Sequence, residues 1–397
     1  MEDFIEMKKI TIVGRGIVGC LAVTHFVKYT DWLIDWIYDP TLQPNPVGEG
    51  TTLLIPRMLN QNTALNWNDL NKLHGTPKTG ILKNNWSNKG HFFHPFLVGD
   101  VGIHMNAIEL QNMLFDLYKN YERITLLEKN FSKYDNLNTD FLMVCSGTPN
   151  CFDSEYKLRE FIPVHNCLVS QCPWEGARFN YSLTHATKHG WIFGIPLQNR
   201  CSIGYLFNDE YCSFQDVKEE VEIILADLNL VKSAQRLINF NNYSRRKNFV
   251  GNTIYNGNAS FFLEPLEATS TSLACQILNL SLSVWNNKLT MQDAELFYQK
   301  EIDNIEAMIC LHYMAGSIYK TPFWEFAKEL ANSKIKMKMK DSEFYKFIYE
   351  SMYPKREEDL YVHNSLGGFR KFSYKLNIEG LGIEKQIKEL LNENMPL

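Results

Sequence analysis

The feature that most constrains the fold is KKITIVGRGIVGCLAVTHFVKY, residues 8–29. A short apolar run meets a glycine-rich turn and passes into a helical pattern, which predicts a buried strand, a tight turn and a helix. Gly14, Gly16 and Gly19 have the GxGxxG spacing, with Ile17 and Val18 inside the turn. The first glycine permits the turn, the second lets a pyrophosphate approach the backbone, and the third allows close packing of helix on strand. The helix N-terminus then faces the phosphates. WLIDWIYDP (32–40) reads as a second strand ending at Asp39, placed where a carboxylate bonds ribose hydroxyls. GxGxxG alone is a weak signal; with these flanks it predicts dinucleotide binding, without choosing FAD over NAD.

The 397 residues give room for two domains, or one large domain with an appendage. A net charge of −5 argues against nucleic acid as a main partner, because no global basic field would recruit it. The one basic run, KIKMKMK (334–340), reads as a solvated lysine face. Nine scattered cysteines without a CxxC pair predict free thiols in a reducing compartment. The start, MEDFIEMKKITIVG, carries acids before any apolar stretch and does not read as a secretory signal. No apolar run approaches the roughly 20 residues needed to span a bilayer, so the expected location is cytoplasmic, with no membrane partner. The oligomeric state stays open.

Between 105 and 120 the spacing predicts a helix with Ile108, Met113, Leu114 and Leu117 near one side. FLMVCSG reads as another buried strand. From about 160 to 255 the pattern is alternating and aromatic, predicting antiparallel strands with a hairpin through PLQNR. After 265 helices dominate, with Thr290 and Thr321 as N-caps and Pro322 at a first helical position. The expected class is α/β: a nucleotide-binding Rossmann-like core, an antiparallel β-sheet layer and a helical C-terminal part. The expected boundaries are 1–160 with 245–290 for the core, 161–244 for the sheet layer and 291–397 for the helical, substrate-covering part. His185 and His189 are four apart but lack a third ligand, so they read as structural and no metal is expected.

TIYNGNASFFLEPLEATS (253–270) resembles the second flavin-contacting segment of FAD-dependent monooxygenase folds, in which the residue after the glycine, here Asn258 after Gly257, approaches the ribityl chain. Four further stretches extend the likeness: VGEGTT (47–52), PKTGILKNNW (77–86), GWIFGIP (190–196) and LHYMAGSIYKTPFW (311–324). With LEPLEAT (263–269) they occur in collinear order, and the chain is similar to flavin-dependent halogenases of the tryptophan-halogenase type. Their combination is far more specific than any one motif.

The resemblance implies that Gly48, Glu49, Gly50 and Thr51 form a strap over the flavin, and that Leu266 joins the cofactor contacts. It implies a reaction in which FADH2, delivered by a separate reductase, reacts with O2 and oxidises halide to confined hypohalous acid. Lys78, eight residues before Trp86, would present electrophilic halogen by hydrogen bond or as a haloamine. Glu267 would orient it and take the proton lost by an electron-rich aromatic substrate. Backbone N–H groups near Thr269 and Ser270 would bind halide. Trp191, Phe193 and Pro196 would line the passage, and Phe93 and His94 are the local stacking candidates.

Each assignment has a plainer reading beside it. Lys78 could be a surface charge, Glu267 a helix-dipole partner, and Trp191, Phe193 and Pro196 ordinary sheet core. The chain also departs from the family's pattern. Phe193 stands for a second tryptophan, Ala268 for serine and Ser270 for glycine, while FLMVCSG lacks the aspartate common there. A shortened C-terminal covering predicts acceptance of varied aromatics rather than free tryptophan. The alternatives are an FAD monooxygenase or hydroxylase of the same fold, and a non-catalytic flavin-binding protein.

Overall fold

The structure, a computed structural model, describes residues 7–42, 48–97, 99–131, 137–362 and 364–394. Pro46 and Val47 of the strap stretch lie outside the described residues. The strand Lys9–Val13 is flanked in parallel by Leu33–Tyr38 on one side and Phe141–Val144 on the other. Ile124–Glu128 and the Phe249–Val250/Thr253–Tyr255 hairpin complete a six-stranded sheet. Its inner strands are largely apolar, with Asp35 paired to Lys9, as expected of a sheet covered by helices. Helix Ile17–Tyr29 starts directly after the glycine turn and buries Gly19 to Phe26. The turn is compact for a steric reason. A Cβ on Gly14 (φ +108°) would lie 2.2 Å from the Cys145 carbonyl oxygen, and one on Gly19 would lie 2.1 Å from that of Gly14.

A seven-stranded sheet forms the second layer, in the order Ala234–Asn239, Asn166–Pro173, Arg200–Phe207, Gly190–Pro196, Ser182–Ala186, Gly80–Asn84, His91–Pro95. All pairs are antiparallel except Ser182–Ala186 with Gly80–Asn84. The hairpin through PLQNR closes with the Leu197 N–H donating to the Arg200 carbonyl at 2.8 Å. Two of the seven strands come from residues 80–95, so this layer draws on chain that precedes residue 161. Within the stretch read as strands, residues 214–227 instead form a helix, Phe214–Asp227, opened by a Ser213/Asp216 capping box. Its Val217, Val221, Ile224 and Leu225 pack with Ile192, Ile203 and Tyr205 of the sheet. The four-residue spacing of those side chains is the helical signal that the neighbouring aromatic strands obscured.

A small three-stranded sheet joins the layers. Gly102–Asn106 is its centre, with Gly48–Gly50 on one side and Thr76–Lys78 on the other, both antiparallel. The C-terminal helices Met291–Ala315 and Pro322–Lys338 pack on each other and share one core with the nucleotide-binding layer. Thr290 caps the first of these through the Asp293 N–H, whereas the Thr321 hydroxyl donates to the Lys188 carbonyl instead of capping.

Two side-chain expectations fail. In helix Ala107–Tyr118 the buried face is Leu110, Gln111, Leu114, Phe115 and Tyr118, and Leu117 is exposed. The inner stripe follows the three-and-four spacing from Ala107, and Leu117 falls between its rows. KIKMKMK is largely helical and not a solvated lysine face. Lys334 and Lys338, one turn apart, are buried against Met291–Ala315, where Lys334 pairs with Asp303 (2.5 Å) and Glu306 (2.6 Å) and Lys338 with Asp303 (2.8 Å). Of its lysines, Lys336 and Lys340 face solvent.

Candidate active site

Lys78 ends a strand of the small sheet, and Glu267 precedes helix Thr269–Trp285. Although 189 positions separate them in sequence, both side chains are buried and line one cavity of about 110 Å³. That is the scale of a space that admits a single aromatic ring. Ile81, His94, Phe96, Phe369 and Phe372 contribute its walls, while the exposed Pro95 and Gly368 stand at the rim. The strap strand adjoins the same place: a Cβ on Gly50 would lie 3.7 Å from Lys78 Nζ and 3.3 Å from Ser182 Oγ. Position 50 is thus in contact range of the amine.

Among the described residues Lys78 makes no ion pair; its ammonium sits 5.6 Å from the Phe96 ring centroid. Burial pulls its pKa down from 10.5 to about 8, with Glu267 opposing the fall and Lys83 adding to it. The partner of Glu267 is another lysine. Lys83 on Gly80–Asn84 contacts Glu267 Oε1 and also His312 Nε2, and the His312 Nε2–Glu267 Oε1 distance is 3.1 Å. Burial, the largest single influence, would raise the Glu267 carboxyl; Lys83, His312 and His94 together outweigh it and hold the group well below the usual carboxylate range. All three side chains are buried.

The backbone here is strained. Glu267 (φ +68°, ψ 3°) and Ala268 (φ +54°, ψ 41°) are consecutive left-handed non-glycine residues, each costing about 1–3 kcal/mol. The turn aims the Glu267 carboxylate inward and starts the 17-residue helix Thr269–Trp285 without a side-chain cap. Its first N–H groups are thus open to an anion. The Thr52, Thr269 and Thr271 hydroxyls are buried beside these segments without a partner among the described residues.

The other expected positions divide. His94 is buried in the cavity wall with Nδ1 unpartnered, and burial pulls its pKa to about 4, so it is neutral. Phe93 does not reach the cavity. Strand alternation turns it to the opposite face, where it is 40% exposed and packs edge-on against Tyr181. Trp191, Phe193 and Pro196 do not line the cavity either. Trp191 donates to the Tyr313 hydroxyl at 2.9 Å and more weakly to Glu264 Oε2 at 3.4 Å, Phe193 covers Gly204, and the Pro196 carbonyl accepts from Thr76 Oγ1. Trp191 belongs to an aromatic cluster with Trp86, Tyr313 and Trp324, which meets the charged group through an edge contact of Trp86 with His312 at 5.8 Å. Within this cluster Glu264 accepts from the Tyr313 hydroxyl at 2.7 Å, and burial raises its pKa to about 8.

The nucleotide end fits a dinucleotide. Helix Ile17–Tyr29 has Gly16 at its N-cap and no side-chain cap, and a Cβ on Gly16 would meet nothing within 4 Å. That leaves open space over the helix N-terminus. Gly257 (φ +58°) packs on Val18, so the second segment closes on the first turn, with Asn258 following. Asp39 accepts from the Thr41 N–H and hydroxyl through Oδ1 at the end of its strand. Leu266 is fully buried; Thr51 braces the strap through Ile103; burial lifts Glu49 to about 7.

Lys83, His312, Phe96, Phe369 and Phe372 were not anticipated. Lys83 had a readable signal, since it shares a strand face with the apolar Ile81. His312 likewise interrupts an apolar helix run, ICLHYMA. Phe369 and Phe372 carried none, because only tertiary packing brings residues 368–373 to the cavity.

The family model described as "Tryptophan halogenase" matches residues 9–135 and 120–386. Tryptophan 6-halogenase ThaL of Streptomyces albogriseolus is 26% identical over 212 residues, which cover 51% of this chain and 39% of that protein. The match thus spans less than half of this curated relative's length. A tryptophan halogenase structure from Shewanella frigidimarina superposes with TM-score 0.77 at 17% identity, covering 98% of this chain and 93% of the other. A flavin-dependent halogenase from Xanthomonas campestris, Xcc4156, gives 0.77 at 16% identity, covering 98% and 94%. At these identities the structural likeness speaks for the fold.

Proposed function

The chain belongs to the tryptophan halogenase family, and from that membership we propose that it is an FADH2-dependent halogenase acting on an electron-rich aromatic substrate. One observation carries the reading: the Lys78 amine and the Glu267 carboxylate converge in a sheltered cavity beside the strap strand and an uncapped helix start. Gly14, Gly16, Ile17, Val18, Gly19 and Asp39 would hold the dinucleotide, and Gly48–Thr51, Gly257, Asn258 and Leu266 would hold the flavin end. Reduced flavin, when bound, supplies with O2 the oxidation that turns halide into hypohalous acid.

The chain's own groups do the rest. Backbone N–H groups at Thr269 and Ser270 receive halide, because a helix start offers donors and a positive dipole end. Lys78 holds the electrophilic halogen and presents it to the ring. His94, Phe96 and Phe372 bound the substrate and keep bulk water from the oxidant. Glu267 would orient the halogen and take the proton lost by the ring. The 110 Å³ cavity suits one ring with a chain or second ring projecting past the rim, consistent with varied phenols and indoles. A separate reductase would deliver FADH2. The 291–397 region would close the cavity, Phe369 and Phe372 being its contribution. No helix among the described residues is long and apolar enough to cross a membrane.

The test supplies purified protein with reductase-generated FADH2, O2 and bromide, and follows a phenol and an indole by mass spectrometry. Brominated product is expected from the parent and none from Lys78→Ala, with flavin affinity unchanged. Undiminished bromination by that variant, or hydroxylated product formed without halide, overturns the reading.

A further inference from the structure

Two lysines share one carboxylate in this site. His312 Nδ1 lies 2.9 Å from the Met308 carbonyl, which can only accept, so that nitrogen carries the proton and Nε2 bears a lone pair. Nε2 and Glu267 Oε1 are then both acceptors, and Lys83 Nζ touches both. The donor between them is the Lys83 ammonium. Lys83 and Glu267 thus form a closed, neutral pair with His312 as its neutral third member.

A proton on Lys78 would place a second positive charge in a buried site whose one adjacent carboxylate is already paired, and unpaired buried charge costs several kcal/mol. Its other titratable neighbours give no compensation. His94 and His104 lie below their usual values through burial and are neutral. Glu49 on the strap strand, raised by burial to about 7, is not among the charges that act on Lys78, which are Glu267 and Lys83, and Asp100 at the rim is tied to Arg57 at 2.5 Å.

We propose that Lys83 is a positioning residue for halogen transfer: its ammonium occupies the Glu267 carboxylate, so that the unpaired Lys78 ammonium gives up its proton readily and frees a lone pair to take up electrophilic halogen. The proposal rests on the halogenase reading above. In the step it serves, the Lys78 lone pair forms the N–halogen bond while the O–halogen bond of hypohalous acid breaks. The departing hydroxide takes the proton from nitrogen and leaves as water. Electrophilic halogen keeps its oxidation state, so nothing further is consumed. An ammonium has no lone pair and cannot take this step.

The experiment titrates Lys78 itself, without flavin or halide. Acetic anhydride labelling across pH 6–10, read on the Lys78 peptide by mass spectrometry, yields the midpoint of its nucleophilicity. The expected parent midpoint is about 8. Lys83→Met frees Glu267 to pair with Lys78, so its midpoint should rise by a full pH unit or more and labelling at pH 7 should fall at least tenfold. Lys83→Arg keeps the charge and should leave the midpoint in place. The double variant Lys83→Met/Glu267→Gln removes both charges and should return it near the parent's. An unchanged midpoint in Lys83→Met overturns the proposal. If that single variant does not fold, the double variant decides: a midpoint far below the parent's would show that losing Glu267 matters and losing Lys83 does not, which also overturns it. Halogenation by Lys83→Met should show its pH profile displaced upward in parallel. A parent that labels as expected yet halogenates nothing would refute the halogenase reading and leave the charge assignment standing.

Discussion

Replacing Lys78 by methionine should stabilise the protein while abolishing its activity, and the size of the gain follows from the site. The amine is buried, makes no ion pair among the described residues, and is held at about 8 against an ordinary 10.5. That gap corresponds to about 3 kcal/mol by which folding disfavours the ammonium. Because the folded value lies below the unfolded one, the penalty is fully present below about pH 8 and fades as pH climbs to 10.5. Methionine has nearly the same length and no charge, so it fills the space without the penalty. At pH 7 urea denaturation should show a gain approaching about 3 kcal/mol, less the weak ring contact with Phe96. For 397 residues, with unfolding entropy of about 2 cal/mol/K per residue, this is roughly 4 °C in melting temperature. The parent should gain stability between pH 8 and 10 while Lys78→Met stays flat relative to it. A variant less stable than the parent at pH 7, or one without this difference in pH slope, would refute the claim that an unpaired ammonium is what the site strains to hold.

Glu264→Gln keeps acceptors for Tyr313 and Trp191 but cannot ionise. Since burial raises the folded pKa of Glu264 to about 8, parent stability should fall from pH 4.5 to 8, by at most about 1.4 kcal/mol per pH unit, and the variant should lose that slope in pH-dependent melts. Ala268→Gly relieves one left-handed residue and should raise stability by about 1 kcal/mol in urea, less the added unfolded-chain entropy; a loss would show that position 268 carries no strain. Lys334→Met leaves the buried Glu306 with Arg159 (3.5 Å) as its one ion-pair partner among the described residues and should cost about 2–4 kcal/mol by denaturation, which a solvated lysine could not.

What the sequence could show was local or strictly periodic. The turn at Gly14, Gly16 and Gly19 is legible because the left-handed φ of Gly14 and the close approach of Gly19 to the Gly14 carbonyl fall within six residues. The hairpin at 197–200, the cap at Thr290 and Pro322 at the first position of its helix are legible because they too are local. Lys78 and Glu267 were found through family motifs, since no spacing rule links residues 189 positions apart. Tertiary structure alone decided which charges meet. It put Lys83 rather than Lys78 on Glu267, brought His312 from a distant helix as the third member, and set Phe372 from the C-terminal region in the cavity wall. It also turned Phe93 away from His94's side and buried Lys334 and Lys338. A buried charge goes where a partner's desolvated oxygen compensates it, and that position depends on how whole layers pack, which local spacing does not encode.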